Sequence, residues 1–231
     1  MLKSVYQNGG FYIGKYETGI EDAPKTSGSS STAPTEIPVI KPNAYPYNYV
    51  TCSQAQTLAS NMEHGDRTTS LMFGVQWDLT LKYLEKKGTA QADLKKDSTS
   101  WGNYRNNAWN ITNENLKYAR NGSNWTTATE KSKTAREDIL LSTGADDSFS
   151  KMGIYDLAGN VWEWTLEYTS YTDNPCANRG GYYGNSGSSN AAGYRYHEPY
   201  DLFVRYPRVQ ASTLLIVDLS PEQRYTKRSS K

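Results

Sequence analysis

The chain has 231 residues, enough for one domain with a sizeable core, or for one domain with tails. Its 25 Lys and Arg balance 24 Asp and Glu to a net +1, which gives no electrostatic case for nucleic acid or a membrane surface as partner. No apolar run reaches the length of a membrane span, and Met1-Leu2-Lys3-Ser4-Val5-Tyr6-Gln7 carries no apolar signal region. Export is therefore expected only as part of an assembly, or from a chain truncated at its N-terminus.

Gly9-Gly10 precedes an alternating stretch, Phe11 to Glu17, that reads as a first strand. Residues 23–38 are rich in Ser, Thr, Pro and Gly and read as a flexible insertion within the domain. Tyr45, Tyr47 and Tyr49, between and after Pro42 and Pro46, read as extended chain. A helix is expected to start near Ser53 as its cap, with Ala55, Leu58, Ala59 and Met62 at helical spacing. His64-Gly65-Asp66 would end it, with His64 exposed and without a role. A second helix is expected from Phe73 to Lys87, placing Trp77, Leu81 and Leu84 on one face and Gly88 at its stop.

From 89 to 135 the chain is polar and aperiodic. Trp101, Trp109 and Trp125 are placed to pin this long irregular region to a core. Cys52 and Cys176 are too few for a disulfide framework or a zinc site; they form one bridge or remain two thiols. The composition, 19 Tyr, 18 Gly and 6 Trp against 4 Phe, favours hydrogen-bonding aromatic surfaces on loops.

The most informative stretch runs from Gly153 to Trp164. Gly159 and Asn160 tolerate positive φ, so a tight turn is cheap there, and Val161, Trp162 and Trp164 then read as a short strand. Asp156 and Glu163 flank the turn, with the carbonyls of Gly159 and Val161 between them. Two readings stand: the carboxylates accept N–H bonds of the turn, or they join those carbonyls around a hard cation such as Ca²⁺. Further on, residues 178–197 are almost wholly Tyr, Ser, Gly and Asn, the palette of antibody loops. Tyr182, Tyr183, Asn185, Ser186, Ser188, Asn190, Tyr194, Tyr196 and His197 are the candidate ligand-binding residues.

The block Tyr155-Asp156-Leu157-Ala158-Gly159-Asn160-Val161-Trp162-Glu163-Trp164, followed by Asn178-Arg179-Gly180-Gly181-Tyr182, resembles the formylglycine-generating enzyme (sulfatase-modifying factor) family. Phe11 to Glu17 is similar to that family's opening strand and Tyr47 to Ala55 to the entry of its first helix, so the likeness spans residues 9 to 203. The resemblance implies an α+β, C-type-lectin-like fold: two helices, a small twisted mixed sheet and long irregular loops. It also implies a structural Ca²⁺ on Asp156, Gly159, Val161 and Glu163.

The same resemblance speaks against the family's catalysis. Its enzymes carry a cysteine pair after Arg-Gly-Gly, where this chain reads Tyr182-Tyr183-Gly184-Asn185 and Ala191-Ala192-Gly193. No thiolate stands there to bind copper, and two histidines are too few for the related three-histidine iron site. Neither copper nor iron is expected. Without the cysteines the scaffold resembles the variable proteins of diversity-generating retroelements, phage-tail or bacterial surface proteins that are hypervariable just after Arg-Gly-Gly. The expectation is non-enzymatic binding of a protein or glycan receptor, outside the cell or on a virion. The alternatives are an enzyme with an unrecognised site (Tyr194, Arg195 and His197 in question) and a purely structural tail module.

Residues 1–203 are read as the domain and 204–231 as an atypical tail. The family closes on a strand with Gly-Phe-Arg or Phe-Gly-Ile-Arg, whereas Leu202 to Pro207 departs from it. A back-translation of Val204 to Arg208 gives Phe-Gly-Ile-Arg-Ala in the next frame, which suggests a frameshift near Phe203. The other reading makes Leu214 to Val217 the closing strand.

Overall fold

The computed structural model describes residues 9–29, 31–62, 69–120, 124–127, 131–170, 176–198, 211–212 and 215–217, with Glu198 and the last two segments described as backbone only. Among these residues there are three α-helices, one more than expected. Helix α1 (Cys52–Ser60) is capped by Thr51, two residues ahead of the expected Ser53. Gln54 stands three residues after Thr51 and decides the start. Its N–H donates to Thr51 Oγ1 at 3.2 Å, and its side-chain oxygen accepts the Thr51 N–H at 3.0 Å, a reciprocal capping box. The expected stop at 64–66 lies outside the described residues.

Helix α2 (Gly74–Lys86) buries Trp77, Leu81 and Leu84, the face read from the sequence, and the chain leaves it through Gly88 at φ +103°. Helix α3 (Gln91–Lys95) has a single buried anchor, Leu94, so it gave no periodic signal.

The strands fall into several small sheets, nearly all antiparallel. β1 (Tyr12–Ile13) and β4 (Thr69–Leu71) flank β16 (Leu215–Val217), which is the middle strand of three. Backbone of the tail, residues 215–217, thus lies between these two strands. β6 (Lys117–Arg120) lies between β7 (Trp125–Thr127) and β9 (Ile139–Leu141). Three two-stranded ribbons follow: β2 (Gly19–Ile20) with β3 (Tyr45–Pro46), β5 (Trp109–Asn110) with β8 (Ser132–Lys133), and β10 (Ser150–Lys151) with β11 (Ile154–Tyr155). The four-stranded sheet has the order β14-β13-β12-β15, from β12 (Trp162–Tyr168), β13 (Cys176–Arg179), β14 (Arg195–Glu198) and β15 (Ala211–Ser212). Its β12–β15 pair is parallel, which makes this sheet mixed.

Trp101 and Trp109 are buried and Trp125 is half-buried against Tyr45, edge to face at 5.0 Å, so the tryptophans do pin the region after α2. Among its described residues the 23–38 insertion forms no helix. Gln54 Nε2 reaches out from α1 to the carbonyls of Ser29 and Thr32, and Lys25 pairs with Glu36 at 2.9 Å. Cys52 and Cys176 are buried in one core cluster with Trp162 and Trp164, and no disulfide joins them.

Candidate functional site

The turn after β11 has the backbone expected of it: Gly159 at φ +74° and Asn160 at φ +60°. Asn160 is also a buried hub. Its Oδ1 accepts the Leu141 N–H at 3.0 Å and Asn103 Nδ2 at 2.9 Å. Its Nδ2 donates to Leu141 O and to both oxygens of Glu17, at 3.1 and 3.3 Å. The turn is thereby tied to the segment after β1, the 103 loop and β9 at once. Glu17 and Asn103 were not singled out from the sequence, because nothing local marks a buried acid 143 residues from its partner.

Three carboxylates share this interior: Glu17, Asp156 and Glu163 are all buried. Asp156 accepts the Gly144 N–H at 2.7 Å. Burial pushes its carboxyl up to about 7, against the pull of that N–H. Burial also raises Glu17, helped by the nearby Asp156 charge and opposed by Asn160. Glu163 is raised well above the ordinary glutamate range by burial, then by Glu17 and Asp156, against the Arg179 charge. Neither oxygen of Glu163 meets a hydrogen-bond donor. Gly180, at φ +84°, is what makes room for it: a Cβ there would stand 2.4 Å from Glu163 Oε2.

A bare buried carboxylate among other acids is costly unless it is protonated or paired with a cation. The oxygens at this turn are of the kind a hard cation takes, yet among the described residues no three acidic, His or Cys side chains are grouped so as to hold a metal ion. The donor to Asp156 is Gly144, which lies outside the turn, and Glu163 Oε1 and Oε2 cap nothing.

The candidate binding residues divide. Tyr182, Tyr194 and Tyr196 gather on Trp162, with ring centroids 6.4, 6.0 and 5.6 Å from it. Tyr194 and Tyr196 are 38% and 41% exposed and Trp162 is buried beneath them. Tyr183 is not part of that surface: it is fully buried against Ala119, Leu140 and Val161, because the chain turns it inward while Tyr182 faces Trp162. It supports the face and offers a ligand nothing directly.

Asn185, Ser186, Ser188 and Asn190 lie on a tight turn docked against the 98–107 loop. Asn185 O accepts the Arg105 N–H and Gly187 O the Ser98 N–H. Within that turn Asn185 Oδ1 takes the Tyr182 N–H at 3.1 Å, and Ser188 is exposed. His197 sits half-buried on β14, opposite Ala177.

One charged assembly went unread in the sequence. Arg179 is fully buried, with Nη1 on Glu167 Oε2 and Nη2 on Asp78 Oδ1, each at 2.6 Å. Arg195, its partner across β13 and β14, gives Nε to Glu167 Oε1 at 2.6 Å and Nη2 to Asp78 Oδ2. Two arginines and two acids thus close a ring that fastens β14 to β12 and to α2. Arg179 also lies over the Trp77 ring, 5.6 Å from its centroid. The alternating charges come from four separate elements, so no window of sequence contains them.

Residues 9–203 match the sulfatase-modifying factor enzyme 1-like domain. No curated protein is significantly similar in sequence. Among solved structures the chain is similar to variable protein 1 of Treponema denticola, at 16% identity and a TM-score of 0.36, over 68% of this chain and 50% of that one. The chain thus spans half the length of that structure.

Proposed function

The chain belongs to the sulfatase-modifying factor enzyme 1-like domain family, and from that premise we propose that it is a non-enzymatic binding module on a C-type-lectin-like fold. Its receptor, a protein or a glycan, docks on the surface of residues 182–197, outside the cell or on a virion. The observation that carries the reading is the patch of Tyr182, Tyr194 and Tyr196 leaning on buried Trp162. Rings fixed in this way give contact area at small entropic cost, which is how tyrosine serves in paratopes and hot spots. The charge ring behind β14 keeps that patch from rearranging. Against catalysis stands the sequence between Tyr182 and Tyr196, which has no cysteine to supply a thiolate.

Calcium enters the reading as a structural ion. Asp156 and Glu163, with the carbonyls of Gly159 and Val161, would hold it and rigidify the turn under the face. The ion would supply the positive charge that the bare Glu163 carboxylate lacks.

The face matches in composition the segment diversified in retroelement variable proteins, and the locus itself tests that. Across sister isolates, substitutions should gather at the codons for Tyr182, Asn185, Ser188, Asn190, Tyr194 and Tyr196, and a near-repeat should lie downstream. Silent changes alone, with no repeat, would overturn the diversified face. Labelled protein on intact host cells then separates a binder from a structural module: Tyr194→Ala with Tyr196→Ala should abolish attachment, and unchanged attachment would refute the aromatic site.

A further inference from the structure

Beside the charge ring, between α2, α3 and Gly193, lies a cavity of about 390 Å³, within the volume range of small-molecule sites. Buried Leu81 and Leu94 give it an apolar floor. Its polar rim is unevenly committed. Both oxygens of Asp78 are taken by Arg179 and Arg195, and Oε1 of Glu85 is taken by Lys82 at 3.0 Å. The donors left over are cationic. The Lys95 ammonium has no ion pair among the described residues, and Arg195 Nη1 has no partner among them either, its Nε and Nη2 being used.

Gly193 leaves the cavity open. A Cβ there would meet Leu94 O at 3.1 Å, Lys95 Cγ at 3.4 Å and Leu81 Cδ1 at 3.6 Å, so any larger side chain would enter the space.

We propose that this cavity binds a carboxylate-bearing group with a compact apolar body, the carboxylate on Lys95 and Arg195 and the body on Leu81 and Leu94. On the rim both oxygens of Asp78 and Oε1 of Glu85 are already engaged, which leaves one acidic oxygen, Glu85 Oε2, against the open donors of Lys95 and Arg195, so a carboxylate is favoured over a cation. The proposal is independent of the aromatic face, which lies on the far side of β14: Tyr194 and Tyr196 pack on Trp162, while Arg195 turns to Asp78. An N-acetylated acidic sugar, with its acetyl methyl as the apolar body, and a peptide carboxyl end with an aliphatic last residue share this chemistry.

The test is a titration of the full chain with two probes, the methyl glycoside of N-acetylneuraminic acid and N-acetyl-leucine, each beside its methyl ester. The reporter is the Gly193 amide resonance, whose N–H donates to Leu94 O at 2.8 Å within the cavity wall. At least one acid should shift it, with affinity about tenfold above its ester. The sugar alone would identify a glycan acid, N-acetyl-leucine alone a peptide end, and both a general carboxylate site. Lys95→Gln should weaken binding about fivefold, in line with loss of one solvent-exposed ion pair. Gly193→Leu should abolish it without unfolding the protein, and Tyr196→Ala should leave it intact. Acid and ester acting alike, neither acid shifting the amide, or Gly193→Leu binding normally would overturn the proposal.

Discussion

At the scale of single residues the decisive group is Glu163, a buried carboxylate without a donor on either oxygen. Its neighbour Asp156 makes the consequence measurable. In the unfolded chain Asp156 titrates near 3.8; folded, it titrates at about 7. Between those values the folded state holds the extra proton, so stability is greatest at the acid end and falls as pH rises toward 7. The slope is about 1.4 kcal/mol per pH unit for each proton held. In chelator the melting temperature should therefore decline from pH 5 to pH 7, with Glu17 and Glu163, also raised, extending the decline upward.

Calcium should reverse that decline at pH 7, because the ion takes the place of the protons. At one hundred times its dissociation constant a bound ion adds about 2.7 kcal/mol. Glu163→Gln keeps the shape and removes the charge: in chelator at pH 7 it should melt above the parent protein, and calcium should no longer raise its melting point. A parent protein whose melting temperature is flat from pH 5 to pH 7 and indifferent to calcium would remove the metal reading.

Among elements, the four-charge ring decides how firmly β14 is held. Arg179 is fully buried, and truncating one member of a buried pair strands the other charges. Arg179→Met should cost about 3 kcal/mol in urea unfolding, at the low end for buried pairs because Asp78 and Glu167 keep some solvent. Arg195 is 43% exposed, so Arg195→Ala should cost about 1 kcal/mol or less and shrink further in salt. Equal costs for the two would mean that burial is not what gives the ring its strength. At the start of α1, Thr51→Ala removes the capping box and should cost about 1 kcal/mol.

What sequence could and could not convey follows the same division. Local chemistry was legible: the buried face of α2 at Trp77, Leu81 and Leu84, the Gly159-Asn160 turn, and the tyrosines of 182–196. Partners far apart along the chain were not. The Glu17–Asn160 link, the Asp78–Arg179 pair and the inward turn of Tyr183 depend on which elements meet, and adjacent tyrosines 182 and 183 look identical in sequence. The Ser53 side chain suits a cap, but the reciprocal bond to Gln54 selects Thr51.

For the whole molecule the open contest is over the tail, and the sheet that holds it gives the contest a physical form. β16 pairs with β1 through Val217 and Ile216 opposite Tyr12 and Ile13, and with β4 through Leu215 to Val217 opposite Leu71 to Thr69. β1 and β4 do not pair with each other, so removing the middle strand leaves both with unmet backbone donors and acceptors. β4 leads into α2, whose Trp77 donates to Ala192 O at 2.9 Å, so the loss reaches the binding surface. A native closing strand should therefore be indispensable. Ile216→Pro removes a ladder N–H from a central strand, where proline is not tolerated. It should lower the melting temperature sharply and raise amide exchange in β1 and β4. A truncation ending at residue 210 should do the same. If both proteins melt with the parent and protect β1 and β4 equally, the tail contributes nothing to the fold. The frameshift reading would then gain at the expense of the closing strand.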